Sequence, residues 1–149
     1  MYEDRMFRGF LAGVAGGIAM NIFSLFTYLL NLTELPFWQW AAIMVLGRDQ
    51  ISGTAENILG IVTHLIFTGF MGILFSFLVP HLKSRGIVIK GWFFAVGAWF
   101  SIYALTLLFK VKGTVPILLK TAVSNFVGAT IYGIVLGWMI TKLYIKATT

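Results

Sequence analysis

The sequence has no cysteine, three prolines, two histidines and only 11% charged residues in 149 positions. Each shortage closes off a class of function. Without cysteine there is no disulfide scaffold and no thiolate metal site. A soluble domain carries roughly 25% charged residues, so a globule of this composition could not cover its surface in water. With 59% hydrophobic and 16% aromatic residues, a disordered tail is excluded as well. The surrounding solvent must be largely lipid.

The few charges leave long gaps. Residues 9–33, 57–82, 91–109 and 121–141 contain no Asp, Glu, Lys or Arg. A membrane-crossing helix needs about 20 mostly apolar residues, and each gap supplies that. The expectation is an all-α, polytopic membrane four-helix bundle forming one domain, with spans near 9–31, 57–80, 91–109 and 117–141. A further apolar stretch, 35–47, is too short to cross. It opens with Pro36, which suits a first helical turn, and carries Trp38 and Trp40, a residue type that favours headgroups. It reads as a short interfacial or re-entrant helix between the first two spans, or as a loop covering the bundle.

Basic residues in the connections set the orientation. Arg5, Arg8, Lys83, Arg85, Lys90, Lys142 and Lys146 fall on the side of the termini, against Arg48, Lys110, Lys112 and Lys120 on the other. Both termini are therefore expected in the cytoplasm, within the plasma membrane of a bacterial cell. The net charge of +6 then anchors spans to anionic headgroups. The basic residues form no stripe or groove for nucleic acid. Glu3 and Asp4, followed by a long apolar run, do not read as a cleavable signal.

Helices in a bilayer gain little by burying leucine against leucine, so small residues and interhelical hydrogen bonds decide their contacts. Gly9, Gly13 and Gly17 stand four apart, and Asn21 continues the ridge. Gly60, His64, Thr68, Gly72 and Ser76 form a second ridge, and Thr121, Asn125, Ala129, Gly133 and Gly137 a third. The third span starts with small Gly91 and Ala95 but continues with Trp99 and Tyr103. These ridges are expected to turn inward. They also raise the prospect of a parallel hairpin repeat, 8–82 laid over 90–143. Arg8-Gly9 falls on Lys90-Gly91, His64 on Asn125, and Gly72-Ile73 on Gly133-Ile134; chance likeness among apolar helices is the competing explanation.

Polar residues at membrane depth are functional candidates. Asn21, His64 and Asn125 fall at similar depth on three different ridges, so they form a candidate intramembrane polar cluster. A neutral imidazole between two carboxamides could bind a small polar solute or relay a proton; hydrogen bonding between packed helices is the plainer role. No cofactor is expected. His64 and His81 stand about 25 Å apart along one helix, no HExxH or Glu-x-x-His occurs, and no serine sits in a nucleophile elbow. No metal site and no catalytic constellation is present in the sequence. Glu56 opens a helix, where its charge is favoured by the macrodipole; with Glu34 and Asp49 it could instead form a cation-attracting mouth.

The glycine-rich opening Gly9-x3-Gly13-x2-Gly16-Gly17, the segment Val62-Thr63-His64-Leu65-Ile66-Phe67, the basic turn from Pro80 to Lys83 leading to Gly91, and Tyr132-Gly133-Ile134-x2-Gly137 together resemble small four-span bacterial membrane proteins of the YqhR and YagU types. That resemblance implies architecture and location and no reaction. The functional expectation is a non-enzymatic structural or accessory bundle that self-associates or joins a membrane protein partner. A small channel or carrier for a proton or small polar solute, working through His64, is the competing reading.

Overall fold

A computed structural model describes residues 2–82 and 86–145 of the chain. Its helices, in chain order, are α1 (Tyr2–Leu29), α2 (Phe37–Leu46), α3 (Thr54–Leu78), α4 (Ile87–Leu108) and α5 (Leu119–Ile145), and a single 3-10 turn, Val79–His81, extends α3. No strand occurs among the described residues. α1, α3, α4 and α5 are each long and apolar enough to cross a membrane. The shortest, α4, has 22 residues and reaches about 33 Å. α1 and α4 begin several residues before the charge-free stretches, because a helix keeps its backbone hydrogen bonds internal wherever it leaves the hydrocarbon. Of the basic residues used for orientation, Lys83, Arg85 and Lys146 lie outside the described residues.

Local chemistry ends the helices. Asn31 adopts φ 57, a left-handed conformation that asparagine tolerates, and Leu32 N–H returns to the Thr27 carbonyl at 2.8 Å. Gly47, at φ 64, closes α2 in the same way by donating to the Ile43 carbonyl at 2.8 Å. At the other end of α2, Pro36 occupies the cap position, and the Phe37 N–H, which has no intrahelical partner, donates to Ser24 Oγ of α1 at 3.4 Å.

The long helices pack in the order α3, α1, α5, α4, with α2 laid on α3. The α1–α3 seam is made by glycine. A methyl group on Gly13 would collide with the Thr68 carbonyl, one on Gly17 with the Thr68 hydroxyl, and one on Gly9 with Ser76 and the Gly72 carbonyl. The α4–α5 seam repeats the device: Gly91 lies on Gly133 and Gly137, and Ala95 on Gly133. Gly9 against Gly72 and Gly91 against Gly133 are among the close pairs of the two seams. Gly60, though on the same face of the sequence ridge, receives α2; its neighbour is the Trp38 carbonyl.

α2 is not a surface helix. Phe37, Trp38, Trp40, Ala42 and Ile43 are buried, and Trp38 Nε1 and Gln39 Nε2 donate to Asn57 Oδ1 of α3 at 2.9 and 3.3 Å. The core runs from Ala12 and Met20 through Phe37, Phe75, Ala95 and Tyr132 to Leu136 and Ile140. Tyr132 ties it together: its ring lies on Gly16 of α1, and its hydroxyl donates to the Thr68 carbonyl of α3 at 2.8 Å. Fixing three helices with one side chain requires the small residue at position 16.

Candidate binding cavity

Asn21, His64 and Asn125 occupy three helices, and among the described residues no hydrogen bond joins them to each other. Asn125, 1% exposed, donates from Nδ2 to the Tyr103 hydroxyl of α4 at 2.9 Å. His64, 7% exposed, has its ring nearly parallel to that of Phe37, with centroids 5.6 Å apart, and its Nδ1 is buried with no hydrogen-bond partner. Asn21 has neither amide atom partnered. His64 and Asn125 are therefore served by aromatic residues, Phe37 and Tyr103, rather than by one another.

The structural consequence of the packing order is a gap. The backbones of α3 and α4 stand apart, joined by the Phe75 and Phe94 rings with centroids 5.2 Å apart, and between the two helices lies a cavity of about 500 Å³. Its sides are Phe67 and Met71 of α3 and Ala98 and Ile102 of α4, its back is Met20, Ala129 and Tyr132, and α2 closes one end with Phe37, Trp40 and Met44. Nearly all of the lining is apolar carbon. Its size falls within the roughly 300–1,000 Å³ of sites that hold small ligands. His64 belongs to the wall. So do Trp40 and Tyr103, whose rings stack with centroids 5.2 Å apart and 12° between planes.

None of Phe37, Trp40, Tyr103 and Tyr132 stands out in the sequence as a site residue. Aromatic residues at helical spacing are usual in membrane spans, so only a partner on another helix distinguishes them. The indole of Trp40 and the fork of Tyr103, Trp99 and Phe126 become visible only when α2 is seen tucked inside the bundle.

The acidic residues at this end are mostly spoken for. Glu34 pairs with Lys120 at 2.9 Å. Glu56 pairs with Arg48 and accepts the N–H groups of Gly53 and Ser52 at 3.1 and 3.3 Å, which is the helix-start role its position indicated. Among the described residues, no group of three His, Asp or Glu side chains is placed to hold a metal ion.

With this geometry in hand, comparison with known proteins adds one finding: the profile of DUF6789, a family of unknown function, matches residues 4–149. The chain belongs to that family. The match takes in α2 as well as the four long helices. Searches of curated proteins and of solved structures returned no match. The chain is a multi-pass membrane protein of the DUF6789 family.

Proposed function

We propose that the protein is a non-enzymatic accessory component of the membrane that holds a lipid-soluble molecule in the cavity between α3 and α4. The observation that carries this reading is the cavity itself, enclosed by α1, α2 and α5 and lying where two membrane-crossing helices stand apart. A molecule dissolved in the bilayer would reach it sideways, without crossing water. The channel or carrier reading through Asn21, His64 and Asn125 is weaker, because a path for ions or polar solutes needs a polar lining and this one is almost wholly carbon. A structural role agrees with the glycine seams, and the lipid-facing aromatic residues of α4, Phe93 and Phe100, offer a surface to a second copy or a membrane protein partner.

Two further parts of the reading are proposals of the same kind. The seven-to-four excess of basic residues supports termini in the cytoplasm of a bacterial inner membrane, and the Val-Thr-His-x-Ile-Phe segment supports kinship with the YqhR and YagU types. Orientation is checked by Ser84→Cys in a chain with no native cysteine: an impermeant maleimide should label it only after cells are opened, and labelling of intact cells contradicts the proposal.

The main reading is tested by extracting purified protein with organic solvent and identifying what was retained. About one lipophilic molecule per chain is expected, and it should be lost from the cavity-filling variant Ala98→Phe. Protein that retains nothing, yet conducts protons or small solutes in liposomes until His64→Ala stops it, favours the carrier instead.

A further inference from the structure

The cavity is apolar, but it is not indifferent to what fills it. His64 lines it and is more than nine-tenths buried; among the described residues no hydrogen bond engages its ring, and with Nδ1 sealed off inside the protein it is Nε2 that an occupant can meet. A polar nitrogen left unpaired in an apolar place is costly, so an occupant that bonds to the imidazole gains over one made only of hydrocarbon. His64 lies three to four residues from the middle of the membrane-crossing stretch Thr54–His81, about 5 Å. Ordinary phospholipids keep their oxygens in the interfacial layers, roughly 15 Å from the bilayer centre, and would bring only methylene groups to this depth. An occupant that meets His64 therefore carries its polar atom, such as a ring oxygen, at a point where it is itself dissolved in hydrocarbon.

The walls restrict its shape. Two pairs of stacked rings, His64 on Phe37 and Trp40 on Tyr103, present flat aromatic surfaces to one space. Flat surfaces favour a flat guest, since ring-on-ring contact adds to what area burial alone gives. A cavity of about 500 Å³ has room for a ring with a short tail, while a longer tail would leave between α3 and α4 into the bilayer. Imidazole donates or accepts according to its tautomer, so it can meet either a carbonyl or a hydroxyl oxygen on that ring. Resting on the proposal that the cavity holds a lipid-soluble molecule, we infer that its ligand is an isoprenoid quinone or the corresponding quinol, bound by its ring, with one ring oxygen hydrogen-bonded to His64.

The test uses the full chain in nanodiscs of saturated phosphatidylcholine free of quinone. Tryptophan fluorescence is followed during titration with short-tailed ubiquinone or with menadione, and a long-chain alcohol serves as the acyl-type competitor. The expected result is a saturable quench above the linear background of partitioning, resistant to the alcohol. His64→Phe, which keeps a ring against Phe37, should weaken binding tenfold or more while the thermal midpoint holds, and Ala98→Phe should abolish it. Binding that His64→Phe leaves unchanged, or that the alcohol displaces as readily as quinone does, overturns the quinone assignment and leaves a cavity for apolar chains. If neither quinone nor alcohol binds saturably, both the assignment and the binding cavity fall. Should His64→Phe not fold, the alcohol competition on the native chain and Ala98→Phe still decide: displacement of bound quinone by the alcohol, or quinone binding by Ala98→Phe, contradicts the proposal.

Discussion

The seam between α1 and α5 is closed, whereas that between α3 and α4 is open. Laying the first long helix on the third and the second on the fourth makes these two seams counterparts. The comparison is then residue by residue. In the closed seam Gly16 admits the Tyr132 ring, while Gly128 takes the Phe37 ring of α2, with Met20 of α1 further off. In the open one the corresponding positions are Ala98 and Met71, and Phe67 with Ile102, all of which line the cavity. Gly16 lets one pair of helices close over the Tyr132 ring; the other pair has alanine at that position. The same overlay sets Tyr103 and Asn125, which are hydrogen-bonded, over Asn21 and His64, which are not. Asn125 Nδ2 is spent on Tyr103, although Asn125 Oδ1 and Trp99 Nε1 stay unbonded, whereas among the described residues His64 makes no hydrogen bond and stands beside a space.

That contrast can be broken in graded steps. The largest effect should come from Gly13→Leu or Gly133→Leu, which force a side chain into the backbone of the facing helix. Overpacking of this kind costs about 3 kcal/mol or more, and the thermal midpoint in detergent should fall far below that of Leu29→Ala or Phe93→Ala, whose side chains face lipid. Equal midpoints for the four would remove the glycine-seam account. Next is Tyr132→Phe, which deletes the hydroxyl bonded to the Thr68 carbonyl and should cost about 1 kcal/mol in a chemical-denaturation titration. Asn125→Leu should cost less, about 0.6 kcal/mol, and Asn21→Leu should cost nothing or stabilise, since neither of its amide atoms is bonded; the reverse order would show that Asn21 is the structural member. Smallest is Gly97→Ala. A methyl there meets nothing within 4 Å, so the midpoint should hold or rise by the gain in helix propensity.

Much of the architecture is legible before any coordinates. Charge-free stretches near helical span length reveal four crossings because charge is costly in hydrocarbon, and glycines four apart mark helix faces that pack. Which ridge meets which is not legible. Gly60 and Gly72 belong to one sequence ridge, yet the first is taken by α2 and the second by α1, since the ridge pattern carries no label for its partner. α2 was recognisable as a short helix from Pro36 and its tryptophans, but its burial follows from Asn57 and Gly60, twenty or so residues further on. The candidate site shows the same limit. His64 and Asn125 are conspicuous as polar residues within apolar runs, whereas Phe37 and Tyr103, which actually lie against them, look like any other aromatic residues of a span. A cavity is a missing contact, and no residue pattern announces one.

The central claim is that one seam is closed and its counterpart open, and a matched pair of insertions tests it directly. Gly16→Phe and Ala98→Phe place the same side chain at corresponding positions of the two seams, and thermal unfolding of both variants in nanodiscs gives the answer. The account predicts that Gly16→Phe lowers the midpoint severely, because the Tyr132 ring already occupies that space, while Ala98→Phe leaves it unchanged or raises it by filling the cavity. Equal losses in the two variants would mean that α3 and α4 are as tightly packed as α1 and α5, and would contradict the account.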